Sequence, residues 1–137
     1  MTPFRLATFN LENLDDGPRA DPPLDQRIPV LRPQLERLHA DVLCLQEVNA
    51  QKDSASGPRV LRALDRLLEA TPYANYYRAS TRAQTRDDDG ALDRHNLVIL
   101  SRAPVVRSGQ YWHDLVLPPL CALQTAVPPD PVAQPVV

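Results

Sequence analysis

The chain has 137 residues, 43% of them hydrophobic, and a formal charge of −2 at pH 7. That supplies one ordinary core and no bulk electrostatic pull toward nucleic acid. Two cysteines make no disulfide framework, no apolar run approaches the roughly 18 residues of a spanning helix, and the first residues lack a leader pattern, so a cytoplasmic protein is expected.

The first predicted strand covers residues 4–10, with Phe4, Leu6, Thr8 and Asn10 on one face and Ala7 and Phe9 on the other. Ile28, Leu31, Leu35 and Leu38 then recur at helical spacing, and Pro29 and Pro33 are expected to limit that helix to residues 31–39, with Pro33 in its first turn. Residues 42–45 form a continuous apolar run, the pattern of a strand buried on both faces in a parallel sheet, with Cys44 buried and Glu47 just beyond. Strand, helix and strand therefore predict one right-handed crossover unit, which puts Asn10 and Glu47 at the same edge. In open α/β sheets ligands gather at the carboxyl ends of strands.

Ser54, Ser56, Gly57 and Pro58 read as the start of a second helix, whose Val60, Leu61, Leu64, Leu67 and Leu68 form one apolar stripe. Its Arg59, Arg62 and Arg66 are expected on a solvated face. Tyr73, Tyr76 and Tyr77 should pack the ends of a short strand and keep their hydroxyls in water rather than stack on bases. Asp87, Asp88, Asp89 and Asp93 around Gly90 lack the closing glutamate of a calcium loop and read as a mobile acidic hairpin tip. The last predicted strand is residues 96–100.

Glu47 offers the hard oxygen that magnesium or manganese prefers, and the Asn10 amide can accept from a bound water, ligate a metal through oxygen, or donate to phosphate. By themselves the two also fit a solvated glutamate at a strand end and an asparagine that begins a turn.

Three segments, ATFNLENL at 7–14, ADVLCLQEV at 40–48 and HNLVILSRAPV at 95–105, resemble the N-terminal half of the endonuclease/exonuclease/phosphatase superfamily, the DNase I-like fold. The resemblance implies one half of a two-sheet α/β sandwich, a mixed sheet with helices on its outer face. It makes Glu47 the magnesium-binding glutamate and Asn10 the active-site asparagine, so that both are candidate catalytic and metal-binding residues. It also implies water attacking phosphorus in line, in nucleic acids, nucleotides or phospholipid headgroups. The family's later motifs, Gly-Asp-x-Asn and a terminal Ser-Asp-His, have no counterpart, since no Gly-Asp pair occurs. His39 reads as a helix end, His95 as a turn or supporting residue, and His113 as a surface residue.

The expected organisation is the first part of such a domain over residues 1–116 and an extended or disordered tail over 117–137, which holds Cys121 and prolines at 118, 119, 128, 129, 131 and 135. A chain of this kind is expected to end inside the domain, to be inactive alone, and to form oligomers or aggregates through its uncovered sheet face. The contrasting expectation is a non-catalytic α/β fragment or degenerate relative that at most binds a partner.

Overall fold

In a computed structural model, which describes residues 3–54, 57–83 and 90–111, the strand-helix-strand opening is present. Strand β1 runs Leu6–Leu14, helix α1 Leu24–Leu38 and strand β2 Val42–Val48. Two-residue strands β3 (Gln51–Lys52) and β4 (Arg59–Val60) pair with each other, followed by helix α2 (Arg62–Leu68), a single 3-10 turn (Pro72–Asn75), β5 (Tyr77–Ser80) and β6 (Asn96–Ser101). The larger sheet has the order β1-β2-β6-β5. β1 is parallel to β2, while β6 is antiparallel to both β2 and β5. The α/β class with a mixed sheet is as expected. The chain divides into compact units 1–107 and 108–137, and only Ser108–Tyr111 of the second are described.

Burial follows the pleat. Leu43 and Leu45 of β2 and Val98 and Leu100 of β6 are buried with Leu35 of α1 and Leu64, Leu67 and Leu68 of α2, so the helices cover this face of the sheet. The opposite face carries Leu6 at 68% exposure, Leu97 at 59% and Ile99 at 44%. Leu6 lies opposite Val42, and Cys44 opposite Ile99, so one apolar surface runs across three strands. Among the described residues β2 is therefore covered on one face only. Cys44, expected to be buried, is half-buried because it belongs to the uncovered face, and its thiol is free.

Both helices depart from expectation at their starts. α1 begins at Leu24 and contains Pro29 and Pro33. The prolines lie four residues apart on an exposed stripe, so the carbonyls that lose their N–H partners, those of Asp25 and Pro29, belong to solvent-facing residues. Ile28, Leu31, Leu35 and Leu38 hold the other side against the core. At its C-terminus His39 is left-handed, with φ 44°, and its N–H donates to the Glu36 carbonyl. α2 begins later than expected because Arg59 and Val60 pair with Lys52 and Gln51 instead of extending the helix.

The tyrosines do more than fill strand ends. The Tyr73 hydroxyl donates to the Leu35 carbonyl at 2.9 Å and accepts the Ala40 N–H at 3.1 Å, and Tyr76 donates to the Ala40 carbonyl at 3.0 Å. These bonds clasp the chain between α1 and β2, so the hydroxyl of Tyr73 is buried rather than wet. Burial pushes its pKa up. The expectations for Asp87–Asp89, His113, Cys121 and the proline-rich tail lie outside the described residues.

Candidate functional site

Simple alternation would send Glu47 into the core, because it has the parity of Leu43 and Leu45. Two irregularities prevent this. Along β1 and β2 the register passes from Asn10 opposite Gln46 to Leu14 opposite Val48, so β1 spends two more residues than β2. Along β2 and β6 it passes from Leu45 opposite Val98 to Val48 opposite Asn96, an extra residue on β2. Both are bulges, and they flank Glu47. Glu47 is left-handed with φ 58°, which turns its side chain to the sheet edge and lets Val48 take the buried place. Glu12 and Asn13 are left-handed too, at 46° and 53°, and Leu11 and Leu14 on either side are both fully buried.

The bulges bring together what the sequence separates by more than thirty positions. The Asn10 amide nitrogen donates to Glu47 Oε1 at 2.9 Å, and the backbone N–H of Asn13 donates to Glu47 Oε2 at 3.2 Å. Asn10 Oδ1 accepts the Glu12 N–H at 2.7 Å, which fixes the orientation of its amide. A ring nitrogen of His95 lies 2.7 Å from Asn13 Oδ1. His95 is itself left-handed at φ 56° and its backbone N–H donates to Asn49 Oδ1 at 3.2 Å. Four of the six non-glycine residues with positive φ among those described are thus Glu12, Asn13, Glu47 and His95, all at one edge. Left-handed backbone at non-glycine positions is strained by about 1–3 kcal/mol each and gathers where geometry matters for function.

A polar layer supports this edge from beneath. Asp15 accepts the Gly17 N–H at 2.9 Å and the side-chain amides of Asn49 at 3.3 Å and Gln51 at 3.2 Å. Burial acts to raise its pKa, but these donors outweigh it and hold the carboxyl below the ordinary range. Gln51 accepts the Ala63 N–H at 3.1 Å, which ties the layer to the first turn of α2. Asn96, fully buried, donates to the carbonyls of Val48 at 2.9 Å and Leu92 at 2.8 Å. From the side, the Arg27 guanidinium donates to the carbonyls of Leu11 and Glu12.

Of the residues anticipated from sequence, Asn10 and Glu47 are in direct contact and His95 is one residue removed through Asn13. His39 is elsewhere, at the end of α1. Asn13, Arg27, Asn49 and Asp15 were not anticipated. Asn13 had one usable signal, since asparagine is enriched in left-handed backbone. The three arginines expected on a solvated helix face are taken up by carboxylates of the chain: Arg59, which lies in β4 and not in the helix, meets Asp93 at 2.7 Å, Arg66 meets Asp25, and Arg62 bridges Asp16 and Asp53. The hydrogen bond to Asp16 is the main cause that pushes the Arg62 pKa up.

Residues 7–137 match the model of the Endonuclease/Exonuclease/phosphatase family, whose members act on phosphate esters and generally depend on divalent metals. No curated protein and no solved structure gives a significant match. No helix among the described residues is long and apolar enough to cross a membrane.

Proposed function

We propose, since the chain belongs to the endonuclease/exonuclease/phosphatase family, that it is the N-terminal part of a magnesium-dependent phosphoesterase domain, with the Asn10–Glu47 edge as its share of the active site. The observation that carries this is the contact between the two side chains at the carboxyl end of parallel strands, where such sheets bind ligands.

The donor set suits a hard cation. Each Glu47 oxygen accepts one hydrogen bond and keeps a further lone pair, and the carboxylate is partly open to solvent. Magnesium retains several waters and needs one or two carboxylates plus phosphate oxygens, and manganese can replace it. Among the described residues no three His, Cys, Asp or Glu side chains gather, so the donor set resembles an open magnesium site more than a zinc cage. Glu47 would hold the ion. Asn10 steadies that carboxylate through its amide nitrogen, and its oxygen keeps a second lone pair that would suit a metal or a metal-bound water. A magnesium ion held there would supply positive charge for the phosphoryl oxygens of a bound phosphate ester.

Among the described residues no histidine hydrogen-bonds to Glu47 or Asn10, and the Nε2–H of His95 donates to Asn13 instead. Positioning without nucleophile activation gives little rate, so the 137-residue chain by itself is expected to be inactive. Purified chain, assayed on bis-p-nitrophenyl phosphate and on DNA with magnesium or manganese, should show no turnover above the metal-only control. A monomer with metal-dependent hydrolysis that Glu47→Gln abolishes would overturn the claim of inactivity.

A further inference from the structure

We infer that Arg27 is a positioning residue for the metal-holding carboxylate, acting through two peptide planes of the β1 bulge; this rests on the reading of Glu47 given above. A trans peptide is planar, and its N–H points opposite to its C=O. Arg27 binds the carbonyls of Leu11 and Glu12. The N–H groups of those same two planes belong to Glu12 and Asn13, and they donate to Asn10 Oδ1 and Glu47 Oε2. One guanidinium fork, rigid and planar, therefore aims both backbone donors of the site from behind.

The arrangement has a reason in the backbone. Glu12 and Asn13 are left-handed without being glycine, and outside that bulge both would relax to ordinary strand geometry. With the carbonyls released, the Asn13 N–H no longer faces Glu47, and Asn10 loses the partner that sets its amide. The Glu47 carboxylate is then free to rotate. Partners that orient a metal ligand in this way contribute about 10–100-fold to metal affinity. Arg27 leaves α1 in its first turn and is half-buried, within reach of both carbonyls of the bulge.

The test is Mn²⁺ binding to the 137-residue chain, read by electron paramagnetic resonance of free Mn²⁺, with unfolding followed in parallel. Arg27→Met should weaken Mn²⁺ binding about tenfold or more, and Glu47→Gln should remove it. Tyr73→Phe, destabilised far from the edge, should bind as the wild type does, which separates positioning from a general loss of stability. If Arg27→Met does not fold, Arg27→Lys carries the test, because an ammonium group keeps the charge but cannot bridge both carbonyls as the fork does; it should bind several-fold more weakly than the wild type. Wild-type affinity in folded Arg27→Met or Arg27→Lys, with binding lost in Glu47→Gln, overturns the role of Arg27 alone. Wild-type affinity in Glu47→Gln overturns the metal-site reading and this inference with it.

Discussion

Glu47 reaches the sheet edge only because its own backbone is left-handed between two bulges, and the residues around it serve that exception. Asp15 is the most telling of them. Its carboxyl accepts three donors that fix the turn after β1 and the start of β3, and its pKa is held below the ordinary value. A depressed carboxylate contributes stability that is fully present above the unfolded pKa, near 4, and is lost as pH falls through the folded value. Asp15→Asn should cost about 1 kcal/mol at neutral pH. It should also flatten the decline in stability below about pH 4, as read by urea unfolding across pH 2–7. An unchanged pH profile would mean that the carboxylate contributes nothing in the folded state. Asn10 and Glu47 were legible in the sequence because each follows an apolar strand. Arg27, Asn49 and Asp15 were not, because their partners are backbone groups and amides brought near by bulges that leave no mark on hydrophobic alternation.

Helix and strand boundaries depend on contacts that local propensity does not record. Prolines at 29 and 33 argued for a helix of one and a half turns fewer than the four that form, and the core side of α1 overrode them. The Tyr73 hydroxyl is part of what fixes α1 against β2: the residue is 2% exposed and serves both the Leu35 carbonyl and the Ala40 N–H. Tyr73→Phe leaves that buried N–H without a partner and should cost about 1–3 kcal/mol. Thermal unfolding should move down by roughly 4–8 °C for each kcal/mol; an unshifted midpoint would show that the clasp is redundant. At the end of α2, Ala70 is left-handed at φ 61°, a position where helices usually place glycine. Ala70→Gly should raise stability by about 0.5–1 kcal/mol, since the strain removed slightly exceeds the entropy that glycine adds to the unfolded chain. A loss of stability on that substitution would contradict the strained assignment. Both changes lie away from Glu47 and should leave metal binding unaltered.

At the scale of the molecule the sheet is lopsided. One face packs on α1 and α2, and the other exposes Leu6, Leu97 and Ile99 in a continuous strip with Val42 and Cys44 between. The alternation in β1 and β6 made both faces apolar in the sequence, but which face the helices take could be read only from the burial of Leu43, Leu45, Val98 and Leu100. An exposed strip of this kind exceeds the scattered apolar residues of an ordinary surface and should drive association of the isolated chain. Light scattering over a concentration series should show oligomers that Leu97→Thr with Ile99→Thr reduces, threonine being well suited to a strand. Equal association of both proteins would locate the contact elsewhere.

The claim that organises these observations is that the two bulges shape a divalent-cation site at Glu47. Crystals of the chain soaked in Mn²⁺ test it directly through anomalous scattering. The account predicts a peak at about 2.0–2.2 Å from a Glu47 carboxylate oxygen, with Asn10 and the Asn13 N–H still beside that side chain. A Mn²⁺ peak only at other carboxylates, with the Glu47 oxygens bare, would contradict it.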